Sequence, residues 1–320
     1  MPEPDHVYRR RRIVALASLL GAVAAIVVVV LVVAGLGGPS GDGAAPGAQA
    51  ARDGKPAPPP QLPRGGREVL PRYRVVAYYG APQDDELGAL GIGTPDQAVR
   101  RLERQAKPYA AAGGRPVMPV LELIAVVAAH DPGEGGRYNL RQSDAVIRRY
   151  LAAARRAHAL LVLDVQPGRS NFFTEVTRLR KWLRKPDVGL ALDPEWRVTD
   201  GEVPGQVIGR VDSRELNATT AWLSQLIASE RLPQKLVIVH QFTDDMVDET
   251  QLQPRRGEAI VLNADGFGTR TVKVSKYKRF TRQAPGFEQG FKLFYKEDVG
   301  MMTPRQVLRL KPVPDVVVYE

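Results

Sequence analysis

Two acidic residues follow an apolar run in the stretch LALDPEW, which covers residues 190–196. Residues i and i+2 of a β-strand face the same side, about 6–7 Å apart, so we expect Asp193 and Glu195 to point together. Two carboxyl groups this close do not both ionise readily, and the pKa of one of them rises. Such a pair offers a proton donor beside an ionised partner, which is what glycoside hydrolysis needs.

Other apolar runs also end in acidic or polar residues, so several groups could join this pair. Trp196 directly follows it, and an exposed indole face is suited to stacking against a sugar ring. The predicted catalytic residues are Glu195, Asp193 and Asp164, and the predicted substrate-binding residues are Glu122, Trp196, Tyr79, His240, Gln241, Asp265 and Asp298.

Metal and cofactor chemistry have weaker support. His240 ends an apolar run and could form a metal site with Asp164 or Asp265. The chain has 4 histidines, however, and none of them form an H-x-H or H-x-x-x-H pair. A G-x-S-x-G sequence for a Ser-His-Asp site is missing, and the glycines at 88, 91 and 93 precede no P-loop lysine. We therefore predict neither a metal nor a cofactor.

The elements that must position these residues are short β-branched runs, which recur from residue 73 onward and are separated by helical patterns. Most are apolar almost throughout, as expected for parallel strands that are covered on both faces. The eight predicted strands are Arg74–Tyr79, Val117–Ile124, Ala159–Val165, Val188–Asp193, Lys235–Gln241, Ala259–Asn263, Gly290–Tyr295 and Pro314–Tyr319.

Helix starts are recognisable between these runs. Residues 94–97 (TPDQ) combine a capping box with proline at the first helical position, and residues 303–306 (TPRQ) repeat the pattern. Ser143 precedes an amphipathic stretch. Apolar residues at helical spacing over 171–185 and 213–230 predict two further helices.

Alternating strands and helices predict a parallel sheet, and eight such units in about 250 residues match an α/β fold of the (β/α)8 TIM-barrel type. An open doubly wound sheet is the alternative, although it usually carries a glycine-rich turn after its first strand. The basic run 273–282 is expected to be a solvated loop after the sixth strand. In a barrel the site lies at the carboxyl ends of the strands, where the predicted site residues stand.

The D-x-E at the end of the fourth predicted strand resembles the pattern of two glycosidase groups, the barrel-fold muramidases and the chitinase-like enzymes. The resemblance implies that Glu195 is the proton donor and that Asp193 assists it. The chitinase-like signature has further aspartates upstream, where this chain has Val188 and Ala191. The stretches LDPEW, VIVHQF and GFKLFY also resemble membrane-anchored proteins of actinobacteria, a similarity that implies no chemistry.

The N-terminal segment has the pattern of a membrane anchor. Residues 1–12 form a basic tail that ends in four arginines, and residues 13–38 contain no charged residue. A membrane span needs about 20 apolar residues, more than a signal peptide contains. We therefore predict a transmembrane helix over 13–38 with a cytoplasmic N-terminus. A cleaved signal peptide is the alternative, since residues 48–50 (AQA) resemble a cleavage site.

Composition sets the remaining expectations. Residues 39–70 are rich in Gly, Ala and Pro and are predicted to be a disordered linker, which leaves 71–320 as an extracytoplasmic barrel domain. The chain has no cysteine. Its net charge of +10 favours cell-envelope glycan or anionic wall polymer as a partner. Nucleic acid is not expected, because no basic helix carries interleaved aromatic residues. The sequence leaves two functions open, a glycoside hydrolase of envelope glycan and a non-catalytic barrel that binds glycan or a partner.

Overall fold

All eight predicted runs form β-strands in the computed structural model, which describes residues 58–320. A short additional strand pairs antiparallel with the extended end of the second one. The strands are β1 (Arg74–Gly80), β2 (Val117–Ala128), β3 (Asn139–Arg141), β4 (Leu160–Val165), β5 (Val188–Leu192), β6 (Lys235–Gln241), β7 (Glu258–Ala264), β8 (Glu288–Leu293) and β9 (Val316–Tyr319).

The sheet closes into a barrel of eight parallel strands. Its order is β1-β9-β8-β7-β6-β5-β4-β2, and β1 pairs in parallel with both β2 and β9. An open doubly wound sheet would leave two unpaired edges, so that alternative is excluded. The predicted closed α/β barrel is confirmed.

Helices fill most of the connections on the outside of the barrel. Thr94 and Thr303 both form the predicted capping boxes, and Ser143 accepts a hydrogen bond as the predicted N-cap. Each such cap stabilises its helix by about 1 kcal/mol. The helices are α1 (Pro95–Ala111), α2 (Asp144–Arg156), α3 (Phe172–Arg178), α4 (Arg180–Leu183), α5 (Ser213–Ser229), α6 (Arg270–Gln283) and α7 (Pro304–Val307).

Alternate residues of each strand divide between two cores. Outward-facing residues such as Leu161, Val237 and Leu262 pack beneath the helices. Inward-facing residues such as Val120, Ile238 and Val318 fill the lower half of the barrel. This lower half is apolar and tightly packed, and the polar upper half of the barrel interior packs against it.

The expected loop over 273–282 is wrong, because these residues belong to helix α6. Thr269 caps the helix, and Tyr277 and Phe280 are buried on one face of it. Lys273, which the sequence analysis assigned to solvent, is buried and pairs with Asp298 at 2.9 Å. The dense lysines and arginines obscured the apolar face of this helix.

The folded part of the chain begins before residue 71, inside the predicted linker. Leu62, Val69 and Leu70 are buried against the lower core of the barrel. The backbone amides of Val69 and Leu70 donate to the side-chain oxygen of Gln234 at 2.7 and 3.1 Å. Three apolar residues were too few to stand out in a proline- and glycine-rich stretch, but they suffice to close the amino-terminal end of the barrel.

The predicted cytoplasmic tail, the transmembrane helix over 13–38 and the first part of the linker lie outside the described residues. Within 58–320, no helix is both long enough and apolar enough to cross a membrane. The predicted topology therefore stays a prediction.

Candidate active site

The upper half of the barrel interior consists of polar side chains, which we call the polar layer. They occupy the last inward-facing positions of the strands and the residues that follow them directly. Most are almost completely buried, which is uncommon for ionisable groups unless they are paired. The polar layer contains Tyr79, Glu122, Asp164, Asp193, His240, Asn263, Asp265, Lys292 and Glu320.

His240 lies between two carboxylates. Its Nε2 is 2.9 Å from Oε1 of Glu122, and its Nδ1 is 3.1 Å from Oδ2 of Asp265. Burial by itself would lower the pKa of His240, but the carboxylates of Asp265 and Glu122 raise that pKa well above its ordinary value. The protonated ring then donates a hydrogen bond to each carboxylate. Asn263 fixes the far side of Asp265 by donating to its Oδ1 at 2.5 Å.

Lys292 supplies the second positive charge of the polar layer. Its ammonium group lies 3.0 Å from Asp265 and 2.8 Å from Glu320, and it stands 3.9 Å above the ring of Tyr79. Burial opposes both charges, yet this pairing keeps the pKa of Asp265 well below its ordinary value and raises the pKa of Lys292. Lys292 was not predicted. Its inward position could have been inferred from the sequence, because Lys292 interrupts the apolar run GFKLF and follows the inward-facing Gly290 by two residues.

Tyr79 links two acids of the predicted catalytic set. Its hydroxyl lies 3.4 Å from Oδ2 of Asp164 and 3.4 Å from Oδ2 of Asp193. Gln166, which sequence reasoning also missed, donates to the same hydroxyl at 2.8 Å. Burial and the neighbouring Asp193 raise the pKa of Asp164 well above its usual range. Burial also raises the pKa of Asp193, to about 7, and Glu195 contributes to that rise.

The expected strand geometry of Asp193 and Glu195 is wrong, because β5 ends at Leu192. Proline 194 starts a short 3-10 turn, and Oδ1 of Asp193 accepts a hydrogen bond from the backbone amide of Glu195 at 3.3 Å. The pair therefore does not share a strand face. Both side chains nevertheless reach one cavity, Asp193 from its wall and Glu195 with Trp196 from the turn above it.

This cavity opens at the carboxyl ends of the strands and has a volume of about 70 Å³. One water molecule needs roughly 10–15 Å³, so the cavity accommodates several. Acidic groups, Lys292 and aromatic rings all contribute to its wall. Its wall is formed by Tyr79, Glu86, Leu87, Ile124, Gln166, Asp193, Glu195, Trp196, Phe242, Asp265, Phe267, Lys292, Phe294 and Glu320.

The structure separates the predicted site residues into three groups. Tyr79, Asp193, Glu195, Trp196 and Asp265 line the cavity. The fully buried Glu122, Asp164 and His240 lie behind its wall. The remaining two are away from it.

Gln241 and Asp298 do not join the site. Gln241 donates to Glu249, and its side chain faces outward because it follows the inward-facing His240. Asp298 binds Lys273 and accepts hydrogen bonds from the amides of Gly268 and Phe294. Both residues contact loops away from the cavity, and their predicted role in substrate binding stays a prediction.

Comparison with known proteins does not assign a family to this chain. No protein-family model and no curated protein matches the sequence. Among solved structures, a GH18 chitinase from Pseudoalteromonas aurantia is similar at 11% sequence identity and a TM-score of 0.37, over 77% of this chain and 92% of that chain. At this level of similarity, the chemistry of the site has to be argued from its own residues.

Proposed function

We propose that this protein is a glycoside-hydrolase-like enzyme of cell-envelope glycan, with Glu195 as proton donor and Asp193 as its assistant. The observation that carries the proposal is the placement of both carboxyl groups on one cavity at the carboxyl end of a closed parallel barrel. Active sites of such barrels lie at that end, and glycoside hydrolysis uses two carboxyl groups around one glycosidic bond.

The two acids differ in ways that suit different tasks. Asp193 is buried, and its two oxygens face the amide of Glu195 and the hydroxyl of Tyr79. A carboxyl group with a pKa of about 7 is half protonated at neutral pH, so Asp193 can hold a proton next to Glu195. Glu195 is only partly buried and lines the cavity. It is therefore the acid that reaches a substrate, while Asp164 supports Asp193 from behind through Tyr79.

The aromatic part of the cavity wall suits a sugar. Trp196 is partly exposed in this wall, and Phe242, Phe267 and Phe294 line it from buried positions. Aromatic faces bind the C–H sides of sugar rings while polar groups bind the hydroxyls. Anchoring by the N-terminal segment would hold the barrel at the outer surface of the membrane. Envelope glycan is the neutral-to-anionic polymer available there.

One observation favours a second candidate, a barrel that binds glycan or a protein partner without cleaving it. The cavity of about 70 Å³ is much smaller than the roughly 300–1,000 Å³ of ligand pockets. A sugar ring enters only if side chains such as Trp196 move. A binding protein would need the aromatic rim and not a deep pocket.

Release of reducing ends from purified wall glycan separates the two candidates. Glu195→Gln keeps the shape of the side chain and removes its proton, so the activity should fall by about 10²–10⁴-fold with substrate binding retained. Glu230→Gln is the matched control, since Glu230 follows α5 at the other end of the barrel and pairs with Arg184. Its activity should equal that of the wild type.

Trp196→Ala completes the set and should raise KM more than it lowers kcat, because stacking stabilises the bound substrate as well as the transition state. Absence of release by the wild type over a broad panel of glycans would favour the binding protein. Unchanged release by Glu195→Gln would contradict the assignment of the proton donor.

A further inference from the structure

Three residues of the polar layer form a group of their own behind the cavity wall. Glu122, Asp164 and His240 come from three different strands, and each is at most 1% exposed. We call them the buried triad. The proposed glycosidase chemistry takes place on the cavity side and requires no contact between substrate and these residues.

Two oxygen atoms of the buried triad are without a hydrogen-bond donor. They are Oε2 of Glu122 and Oδ1 of Asp164. An unsatisfied buried acceptor costs about 1–3 kcal/mol, and a charged one costs more. Because Oδ1 of Asp164 lies 4.0 Å from Nε2 of His240, it is directed at the ring that Glu122 also contacts. These orphaned oxygens point to a ligand between the three side chains.

The distances suit a metal ion. One ligand atom from each residue lies within 4.8 Å of the other two, and Nε2 of His240 is 2.9 Å from Glu122 and 4.0 Å from Asp164. Nitrogen and oxygen ligands at about 2.0–2.2 Å from a zinc ion are roughly 3–4.4 Å apart. Small rotations of the side chains therefore bring all three ligand atoms onto one ion.

The surroundings of His240 match those of a metal-bound histidine. Its Nδ1 faces the carboxylate of Asp265 at 3.1 Å, and Asp265 is fixed in turn by Asn263 and Lys292. A carboxylate in this position orients the ring and directs the lone pair of Nε2 at a metal. Metal binding requires that His240 lose the Nε2 proton that it donates to Oε1 of Glu122 in the metal-free barrel, and the lone pair then faces Glu122 and Asp164.

Charge in the polar layer also favours a cation. Acidic residues outnumber the two basic ones, Lys292 and His240. Burying uncompensated carboxylates in a barrel is unfavourable by several kcal/mol each. A divalent ion removes this excess at the point where Glu122 and Asp164 approach each other. The acidic members are Glu122, Asp164, Asp193, Asp265 and Glu320.

We propose that Glu122, Asp164 and His240 bind one divalent transition-metal cation, Zn²⁺ or Mn²⁺, inside the barrel behind the cavity. One imidazole and two carboxylates suit these ions better than Mg²⁺ or Ca²⁺, which prefer all-oxygen ligands. Three protein ligands leave a coordination position open for water. The proposal is independent of the glycosidase assignment, because a cation at this position would bind whether or not the cavity cleaves glycan.

Metal content and affinity test the proposal directly. The full chain is purified in detergent, treated with a chelator, and titrated with Zn²⁺ and Mn²⁺ by calorimetry, while mass spectrometry measures the metal retained after dialysis. We expect one equivalent in the wild type. Glu122→Gln and Asp164→Asn should each weaken binding by more than about 10-fold, and Asp265→Asn should weaken it by about 10–100-fold by releasing the imidazole.

Glu258→Gln is the matched control. Glu258 is another buried glutamate whose two carboxyl oxygens are without a hydrogen-bond partner, but it faces the helices and not the barrel interior. Its variant should bind metal like the wild type. Circular dichroism establishes that each variant is folded, and the two triad substitutions provide independent readings should one of them unfold.

Two results would overturn the metal site. The first is less than one tenth of an equivalent of either ion in the folded wild type at saturating metal. The second is equal affinity in the wild type and in the folded triad variants.

Discussion

Individual residues in this barrel are stabilised by pairing and not by exposure to solvent. Lys292 and His240 each contact two carboxylates, and the charges of these groups are tolerated because each lies within about 3 Å of an opposite charge. Asp164 and Asp193 are exceptions, since Asp164 lies 4.0 Å from His240 and the hydrogen-bond partners of Asp193 are a hydroxyl and an amide. Burial raises the pKa of Asp193 to about 7, whereas the contacts with Lys292 and His240 keep the pKa of Asp265 low despite its burial. A group that gives up or takes a proton near neutrality is the one a general acid–base mechanism needs.

Glu258 is a buried titratable residue outside the site, and burial raises its pKa to about 8. It is 8% exposed, and neither of its carboxyl oxygens has a hydrogen-bond partner. The folded state therefore binds this proton more tightly than the unfolded state does. The contribution of Glu258 to the free energy of unfolding is fully present below its unfolded pKa of about 4.5 and is lost as the pH rises to about 8.

We predict that Glu258→Gln removes this pH dependence. The free energy of unfolding of the variant should exceed that of the wild type by an amount that grows between about pH 4.5 and 8 and reaches on the order of 3–5 kcal/mol. Urea unfolding at a series of pH values measures it. The exposed Glu134→Gln is the control and should follow the wild type. A constant difference between Glu258→Gln and the wild type at all pH values would contradict the assignment.

At the scale of elements, two short segments complete the two ends of the barrel, and neither shows the apolar periodicity of a strand or a helix. The turn Pro194–Trp196 carries Glu195 and Trp196 to the cavity, although β5 itself ends at Leu192. At the opposite end, residues 58–70 cover the strand starts. The side chain of Arg67 donates to the carbonyl of Leu232 at 2.8 Å there. Both segments are held in place by a few contacts with the closed barrel.

We predict that the segment before residue 71 contributes to stability. Leu62→Ala should lower the free energy of unfolding by about 2–5 kcal/mol, because Leu62 is 3% exposed and its truncation leaves a cavity. Leu140→Ala is the matched control, since Leu140 is 40% exposed and its truncation should change stability by less than about 0.5 kcal/mol. Denaturant unfolding of both variants checks the difference. Equal stability of Leu62→Ala and the wild type would contradict a stabilising role for this segment.

At the scale of the whole molecule, the barrel and the N-terminal segment have separate tasks. The described residues 58–320 form the barrel with its cavity, while the predicted anchor over 13–38 would determine on which side of a membrane that cavity lies. With that topology, the net positive charge of the barrel would favour contact with anionic head groups and polymers. The proposed envelope substrate depends on this placement.

We predict that the N-terminus is cytoplasmic and that the barrel domain is extracytoplasmic, because the arginines of residues 9–12 precede the apolar run. A reporter that is active only outside the cytoplasm, fused after Glu320, should be active. Replacing the four arginines by glutamate should reduce this signal, and replacing four arginines of the barrel surface should not. Activity of a cytoplasmic reporter alone at the same position would contradict the predicted topology and the envelope substrate together. Release of a shortened mature chain would favour the cleaved signal peptide.

The sequence by itself determined the closed barrel of this protein. Eight apolar runs with capped helices between them were sufficient, because a parallel strand that is buried on both faces needs apolar residues on both. The same pattern placed acids near the strand ends, and Asp193, Glu195 and Asp265 of that set line the cavity. Local chemistry also predicted the capping boxes, which depend on residues only three positions apart.

Only the tertiary structure decided which of these groups meet. Lys292 enters the site because its inward position on β8 lies opposite Asp265, and Gln241 leaves it because one residue of shift reverses the facing of a strand side chain. The convergence of Glu122, Asp164 and His240 joins strands up to 118 residues apart. Such contacts are set by the closure and register of the whole barrel, and no local pattern of residues encodes them.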